Sequence, residues 1–261
     1  GRASSLGAAL LLGISNVRLG RWWPSSASTE TGLTPRSLKW FARKIIETQT
    51  YLWYELTARF HGADRQWFYL SDGGHFENTA IYELLRPRRE VGFIVVCDNG
   101  ADPKFEFNDL SNAIRLARID HQLEIEVDAD ASKIEALSPL LTTPEEMRSL
   151  QVKVKLSPEQ NNNRCAILLT VRKPNSAEVI ARILVIKPRL IAAVPEDVKQ
   201  YALTHSDFPQ QTTANQFFDE AQWESYRKLG LCIGEQLFGT ETAPSKFWNA
   251  LSARIRPGAT Q

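Results

Sequence analysis

The segment Leu70-Ser71-Asp72-Gly73-Gly74-His75-Phe76-Glu77-Asn78 carries the clearest chemical signal in the chain. A carboxylate follows a short apolar run, Trp67-Phe68-Tyr69-Leu70, and precedes two glycines. A helix is expected next, over about 78–85, stopped by Pro87. Strand ends in α/β sheets are where ligands and catalytic groups collect. Glycines at such a point let backbone or substrate come close, because they add no side chain. An aspartate so placed can act as a general base once its surroundings tune its pKa. In isolation Asp-Gly-Gly is most often a turn. Asp72, supported by Gly73 and Gly74, is therefore a catalytic candidate that the rest of the chain must qualify.

Other residues near this motif invite chemistry and have simpler readings. His75 lies beside a glycine pair and reads as a turn residue. Ser71 directly precedes Asp72, and adjacent residues of an extended strand point to opposite faces, so the two do not form a dyad. Asp98 ends the next apolar run and either lines the same cleft or forms a turn with Asn99-Gly100, the turn being the simpler role. Asp102 before Pro103 reads as a turn residue as well. Arg86, Arg88 and Arg89 form a small basic cluster, read first as a solvated helix end and second as a contact for lipid phosphates. Trp22, Trp23, Trp40 and Trp53 read first as packing residues, with contact to a membrane interface as the alternative.

The bulk numbers bound the remaining choices. A chain of 261 residues, 43% hydrophobic and 23% charged, is long enough to bury a sizeable core and has an ordinary globular composition. A net charge of +1 offers no electrostatic case for a nucleic-acid partner. Cys97, Cys165 and Cys232 are far apart and odd in number, which argues against a disulfide framework. A reducing location fits: the cytoplasm or the cytoplasmic face of a membrane. His61, His75, His121 and His205 have no metal-ligand spacing, so neither a metal nor a cofactor is expected. The apolar stretch Leu6 to Ile14 is too short to span a bilayer.

The elements that would position Asp72 follow from periodicity and punctuation. Residues 1–33 read as an irregular lead-in from a larger protein. Thr34 and Pro35 open a helix with Leu38, Phe41, Ile45, Leu52 and Leu56 on one face, ending near Gly62. Val91 to Cys97 is a continuous apolar run of the kind found in strands buried on both faces. Asn108 to His121 reads as an amphipathic helix and Leu123 to Val127 as a strand. Val152 to Leu156, Ala166 to Arg172 and Ala181 to Ile186 read as strands of an added antiparallel system. Helices are expected at Pro195 to Leu203 and at about Ala214 to Leu229. The second of these would be capped by Thr213 with Gln216 and stopped by Gly230. A last helix runs from about Ser245 to Ile255. The fold class expected is α/β: a layered core with a mainly parallel sheet, an added antiparallel strand region and C-terminal helices. Its parts are an α/β core over 34–128 that holds the Asp motif, a strand-rich insertion over 129–190 and a helical end over 191–261.

Taken together, Ser71-Asp72-Gly73-Gly74-His75-Phe76-Glu77-Asn78, Tyr82-Glu83-Leu84-Leu85-Arg86 and Cys97-Asp98 resemble the aspartate-bearing region of bacterial patatin-like phospholipases. Group IV cytosolic phospholipases, which share that fold, have a similar arrangement. The resemblance continues in Gly100-Ala101-Asp102-Pro103 and Asn112-Ala113-Ile114-Arg115. It returns in Phe208-Pro209-Gln210-Gln211-Thr212-Thr213-Ala214 and in Asp219 to Arg227, and it reaches Asn16-Val17-Arg18-Leu19-Gly20, so that it covers most of the chain. It implies a partial patatin-like core and a Ser–Asp dyad. A serine in G-x-S-x-G attacks the ester carbonyl, the aspartate of the D-G-G motif takes its proton, and a glycine-rich loop supplies backbone N–H groups to the oxyanion. Asp72 is the position that matches the base.

The chain also departs from that pattern. It holds no G-x-S-x-G and no glycine-rich oxyanion loop. The nearest approach, Gly13-Ile14-Ser15-Asn16-Val17, has Val where a tight nucleophile turn needs Gly. Ser15 is thus a poor nucleophile candidate, and the serine and oxyanion loop are expected upstream. The expectation is a serine-dependent lipid ester hydrolase as the intact protein, to which this chain contributes the aspartate and is inactive by itself. The alternative is a non-catalytic binding or scaffold module of the same fold. The partners implied are a phospholipid or other lipid ester, a membrane surface and the upstream segment of the same protein, with no nucleic acid.

Overall fold

In a computed structural model, the structure describes residues 20–24, 50–51, 53–54, 57, 59, 67–154, 162–212, 215 and 217–255. The chain divides into two units, residues 1–78 and 79–261.

In the first unit, alternating large side chains make a two-stranded antiparallel ribbon. Strand β1 (Gly20–Pro24) pairs with β2 (Trp67–Ser71), with Trp22 opposite Tyr69 and Trp23 opposite Phe68. Aromatic cross-strand pairs of this kind favour the ribbon. Trp22 also stacks on Tyr51 at 4.7 Å between ring centroids and packs edge-on against Tyr69 at 5.3 Å. The expected irregular lead-in over 1–33 therefore contains a strand. Its tryptophans, read through the Pro and Ser residues after them, looked like loop, but they find strand partners more than forty residues later. Residues 50, 51, 53 and 54 are helical. Thr57 lies in a turn, its N–H donating to Trp53 O at 3.0 Å, and Arg59 is in no regular element; the other positions of the helix expected from Thr34, including Trp40, lie outside the described residues.

The second unit is built on one mixed sheet of four strands in the order β3-β6-β5-β4. They are β3 (Phe93–Cys97), β4 (Glu124–Val127), β5 (Ala166–Arg172) and β6 (Val179–Ile186). The β3–β6 pairing is parallel, and β6–β5 and β5–β4 are antiparallel. The core is thus mixed α/β, with its antiparallel strands inside the sheet rather than beside it. The two strands assigned from sequence to an added region, β5 and β6, are its central strands. That position explains why β5 is buried along almost its whole length.

Strand periodicity divides the core between two faces. Ile167, Leu169, Val171, Ile183 and Val185 point to one side. There they meet helix α1 (Ile81–Leu84), α2 (Asn108–His121) and Met147 of α3 (Pro144–Val154). Leu168, Leu184 and Ile186 point to the other side, toward α4 (Glu196–Thr204), α5 (Glu220–Phe238) and α6 (Lys246–Ile255). A small ribbon, β7 (Gly239–Thr240) with β8 (Ala243–Pro244), joins α5 to α6.

Three further elements differ from the sequence expectation. Strand β3 was expected to be buried on both faces, but among the described residues it lies at the sheet edge. Helix α6 reaches Phe93 through Trp248, while Val95, 42% exposed, and Cys97 remain open to solvent. Val152 to Val154 are helical, not extended. The alternation Val-Lys-Val-Lys imitates a strand, but a capping box upstream decides the outcome. The Glu146 N–H donates to Thr143 Oγ1 (3.1 Å) and the Thr143 N–H to Glu146 Oε2 (3.2 Å). Gly230 does not stop α5, which runs on to Phe238 from an N-cap at Asp219, whose Oδ1 accepts from the Gln222 N–H at 2.7 Å. Leu229, Cys232, Ile233 and Leu237 pack on the sheet across that glycine. Their burial outweighs its cost of about 1 kcal/mol in a helix interior. The expected cap at Thr213 and Gln216 lies outside the described residues.

Candidate active site

Asp72 is the first residue after β2, extended at ψ 166°, and exposed. Gly73–His75 form a single 3₁₀ turn, closed by the Phe76 N–H donating to Gly73 O at 3.0 Å. Gly73 is the tighter of the two glycine positions. A Cβ on Gly73 would press within 3.3 Å of Asn78 Cα, and one on Gly74 would lie 3.4 Å from Asp72 Oδ1. The strand that presents Asp72 belongs to the two-stranded ribbon, not to the larger mixed sheet. Ser71 pairs with Gly20 in the ribbon register and is exposed.

In the second unit, chemistry gathers at the carboxyl ends of the parallel pair β3–β6. Asp98 follows β3 and Lys187 follows β6. They form an ion pair at 3.0 Å with side chains only 6% and 2% exposed. The Asp98 N–H continues the ladder to Ile186 O at 2.9 Å. Its Oδ1 accepts from the Gly100 N–H (3.2 Å), and Lys187 Nζ donates to Gly100 O (2.9 Å). The turn role expected for Asp98 is thus real, but it comes with a buried charge partner. Lys187 was not singled out in the sequence. The available signal was a lysine closing the apolar run Ile183 to Ile186, where a strand end turns from core to cleft.

The loops after β3 and β6 are cross-braced. Asp102 accepts the N–H groups of Glu106 and Phe107, both at 2.9 Å, and so closes its own turn. The buried Gln210 accepts from the Asp102 N–H (2.9 Å) and donates to Pro188 O (2.6 Å). Two pockets border this scaffold. A polar one of about 360 Å³ is lined by Asp98, Gly100, Asp102, Lys104, Asp109 and Lys187, among others. An apolar one of about 220 Å³ is lined by Asn99, Pro188, Pro209, Phe218, Trp223 and Tyr226, among others.

Two other charged clusters make structural contacts. Glu83 pairs with Arg86 (2.9 Å) and Arg89 (2.7 Å), and the Arg89 hydrogen bond holds its carboxyl below the usual range. The basic cluster is therefore partly neutralised at the surface, where such pairs contribute little. The buried Asp128 accepts the Ala131 N–H at 3.0 Å and pairs with Arg254 of α6 at 3.2 Å, which ties that helix to the sheet. Among the described residues, no group of three or more His, Cys, Asp or Glu side chains could hold a metal ion. Nor is any described helix long and apolar enough to cross a membrane.

No protein-family model, curated protein or solved structure matches this chain.

Proposed function

We propose that this chain supplies the base half of a serine-dependent lipid acyl hydrolase, with Asp72 taking the proton of a serine carried upstream of these residues. One observation supports the reading above all. Asp72 stands exposed at the carboxyl end of β2, and glycine at 74 sets no Cβ against its Oδ1. The resemblance of the surrounding motif to patatin-like phospholipases supplies the reaction class.

The steps follow from that pairing. The serine hydroxyl passes its proton to the Asp72 carboxylate as its oxygen attacks the ester carbonyl. The tetrahedral oxyanion is held by backbone N–H donors of the upstream glycine-rich loop. Collapse expels the alcohol, which takes the proton back from Asp72 and leaves an acyl-serine. Water, deprotonated by the same carboxylate, then releases the fatty acid and regenerates the serine. The substrate is a phospholipid or another lipid ester, met at a membrane surface.

The test uses the longer protein, in which the segment preceding this chain is present, with a short-chain chromogenic ester and with micellar phospholipid. Asp72→Asn keeps the shape of the side chain and removes the base, so kcat falls by about 10²–10⁴-fold with circular dichroism unchanged. His75→Ala is far milder, because the dyad has no imidazole step. Near-normal turnover in Asp72→Asn with a dead His75→Ala would replace the dyad by a histidine-based mechanism.

A further inference from the structure

The two pockets of the second unit share a wall. Asp98 and Gly100 face the polar pocket and Asn99 the apolar one, while Lys187 faces the polar pocket and Pro188 the apolar one. A three-residue turn after β3 and a two-residue step after β6 therefore separate a pocket lined by charged residues from a mainly apolar one. Both lie at the carboxyl edge of the parallel pair, where α/β sheets bind ligands. A molecule with a polar end and an apolar end is the complementary shape.

Size and charge narrow the ligand. The apolar pocket, at about 220 Å³, is smaller than the roughly 300–1,000 Å³ of drug-sized sites, which suits one alkyl chain rather than two. Four carboxylates (Asp98, Asp102, Glu106, Asp109) and two ammonium groups (Lys104, Lys187) line the polar pocket, so it is acidic and disfavours a carboxylate head. The ligand's route is marked by aromatic residues beside the apolar pocket. Phe217 is 92% exposed, Trp223 64% and Phe218 47%, and such side chains settle at lipid–water boundaries.

We infer that the carboxyl edge of β3 and β6 binds a single-chain lipid with an uncharged polar head, its alkyl chain against Trp223 and Tyr226 and its head against the Asn99–Gly100 turn. The assignment rests on the lipid-ester reading for the class of ligand, and on the two pockets for the place. A monoacylglycerol fits, both as substrate and as product of a lipid ester hydrolase.

Bromine quenches tryptophan fluorescence at contact, so the probe is a monoacylglycerol brominated at the chain end, used below its critical micelle concentration. The 261-residue chain is titrated with it, with the brominated free fatty acid and with phosphatidylcholine vesicles carrying the same brominated lipid. Saturable quenching by the monomeric monoacylglycerol is expected, and Trp223→Phe removes most of it. Asn99→Phe, an exposed position at the pocket wall, weakens binding about tenfold or more by filling the space. Its circular dichroism and melting temperature serve as the folding control, and Trp223→Ala is the second variant if it misfolds. The free fatty acid binds about tenfold more weakly. The inference is overturned by absence of saturable quenching, by equal quenching in Trp223→Phe, by equal or tighter binding of the carboxylate, or by quenching with vesicles alone, which would mean surface adsorption. Binding needs no nucleophile, so the two readings fail separately. Quenching without turnover in the longer protein sinks the hydrolase, and turnover without quenching sinks the pocket.

Discussion

Lys187→Met removes one partner of the most deeply buried ion pair among the described residues. Met keeps the length and apolar stem of lysine, so the change is mainly one of charge. In the parent, Asp98 Oδ1 faces Lys187 Nζ at 3.0 Å and the Gly100 N–H at 3.2 Å, with both side chains almost fully buried. After the substitution the carboxylate keeps only the backbone donor and stays out of water. Breaking a buried pair in this way costs about 3–5 kcal/mol. For a unit of this size each kcal/mol shifts the melting temperature by about 2–4 °C, so a fall of roughly 6–20 °C is expected. Asp98→Asn keeps the acceptor for Gly100 and strands the ammonium, with a loss of similar size. The double variant Asp98→Asn/Lys187→Met removes both charges and costs less than the two losses added, by about 1–3 kcal/mol. Urea unfolding followed by circular dichroism near neutral pH measures all three. A loss below about 0.5 kcal/mol for Lys187→Met, the range of ordinary surface changes, or strict additivity of the pair, would refute the idea that this contact braces the ends of β3 and β6.

Two further outcomes follow from local chemistry. Thr143→Ala removes the acceptor for the Glu146 N–H and one arm of the box that starts α3; the loss should be about 1 kcal/mol by urea unfolding, and a neutral result would mean that tertiary packing alone starts the helix. Burial pushes the Cys165 thiol up to about 12 and raises that of Cys232, while Cys97 is exposed. Because the thiolate is the reactive form, an aromatic disulfide reagent at about pH 8 should modify one thiol promptly in the native chain and all three in guanidinium. Two or three prompt thiols would contradict the burial.

Much of the local structure could be read directly. Helix α2 begins and ends where its amphipathic pattern does, and β5 is announced by a mostly apolar run, interrupted by Thr170, between turn residues. Leu-Ser-Asp-Gly-Gly marked the end of a strand, and Asp72 does follow one. These features are short-range: one periodicity, one cap, one turn, each decided by neighbours a few residues away.

The pairings were not legible in the same way. Nothing in Trp22-Trp23 says that its partners are Tyr69 and Phe68, and nothing in Val91 to Cys97 says that only one side of the strand is paired among the described residues. An apolar run has the same composition at a sheet edge as at its centre, so β3 could not be distinguished from β5. Gly230 looked like a stop because propensity is local, whereas the helix face that carries it past residue 230 gains its energy from a sheet over forty residues away in sequence. Lys187 and Gln210 show the same limit most sharply. A lysine and a glutamine have no meaning by position alone. Each becomes part of a site when the parallel pairing sets Ile186 beside Cys97 and so brings Lys187 to Asp98, and when the loop after α4 brings Gln210 to Asp102 and Pro188. The sequence determined which segments are helix, strand and turn wherever the deciding contacts are local. The tertiary structure decided which strand is central, which end is open, and which charges face each other, because those depend on surfaces that meet only when the chain has folded.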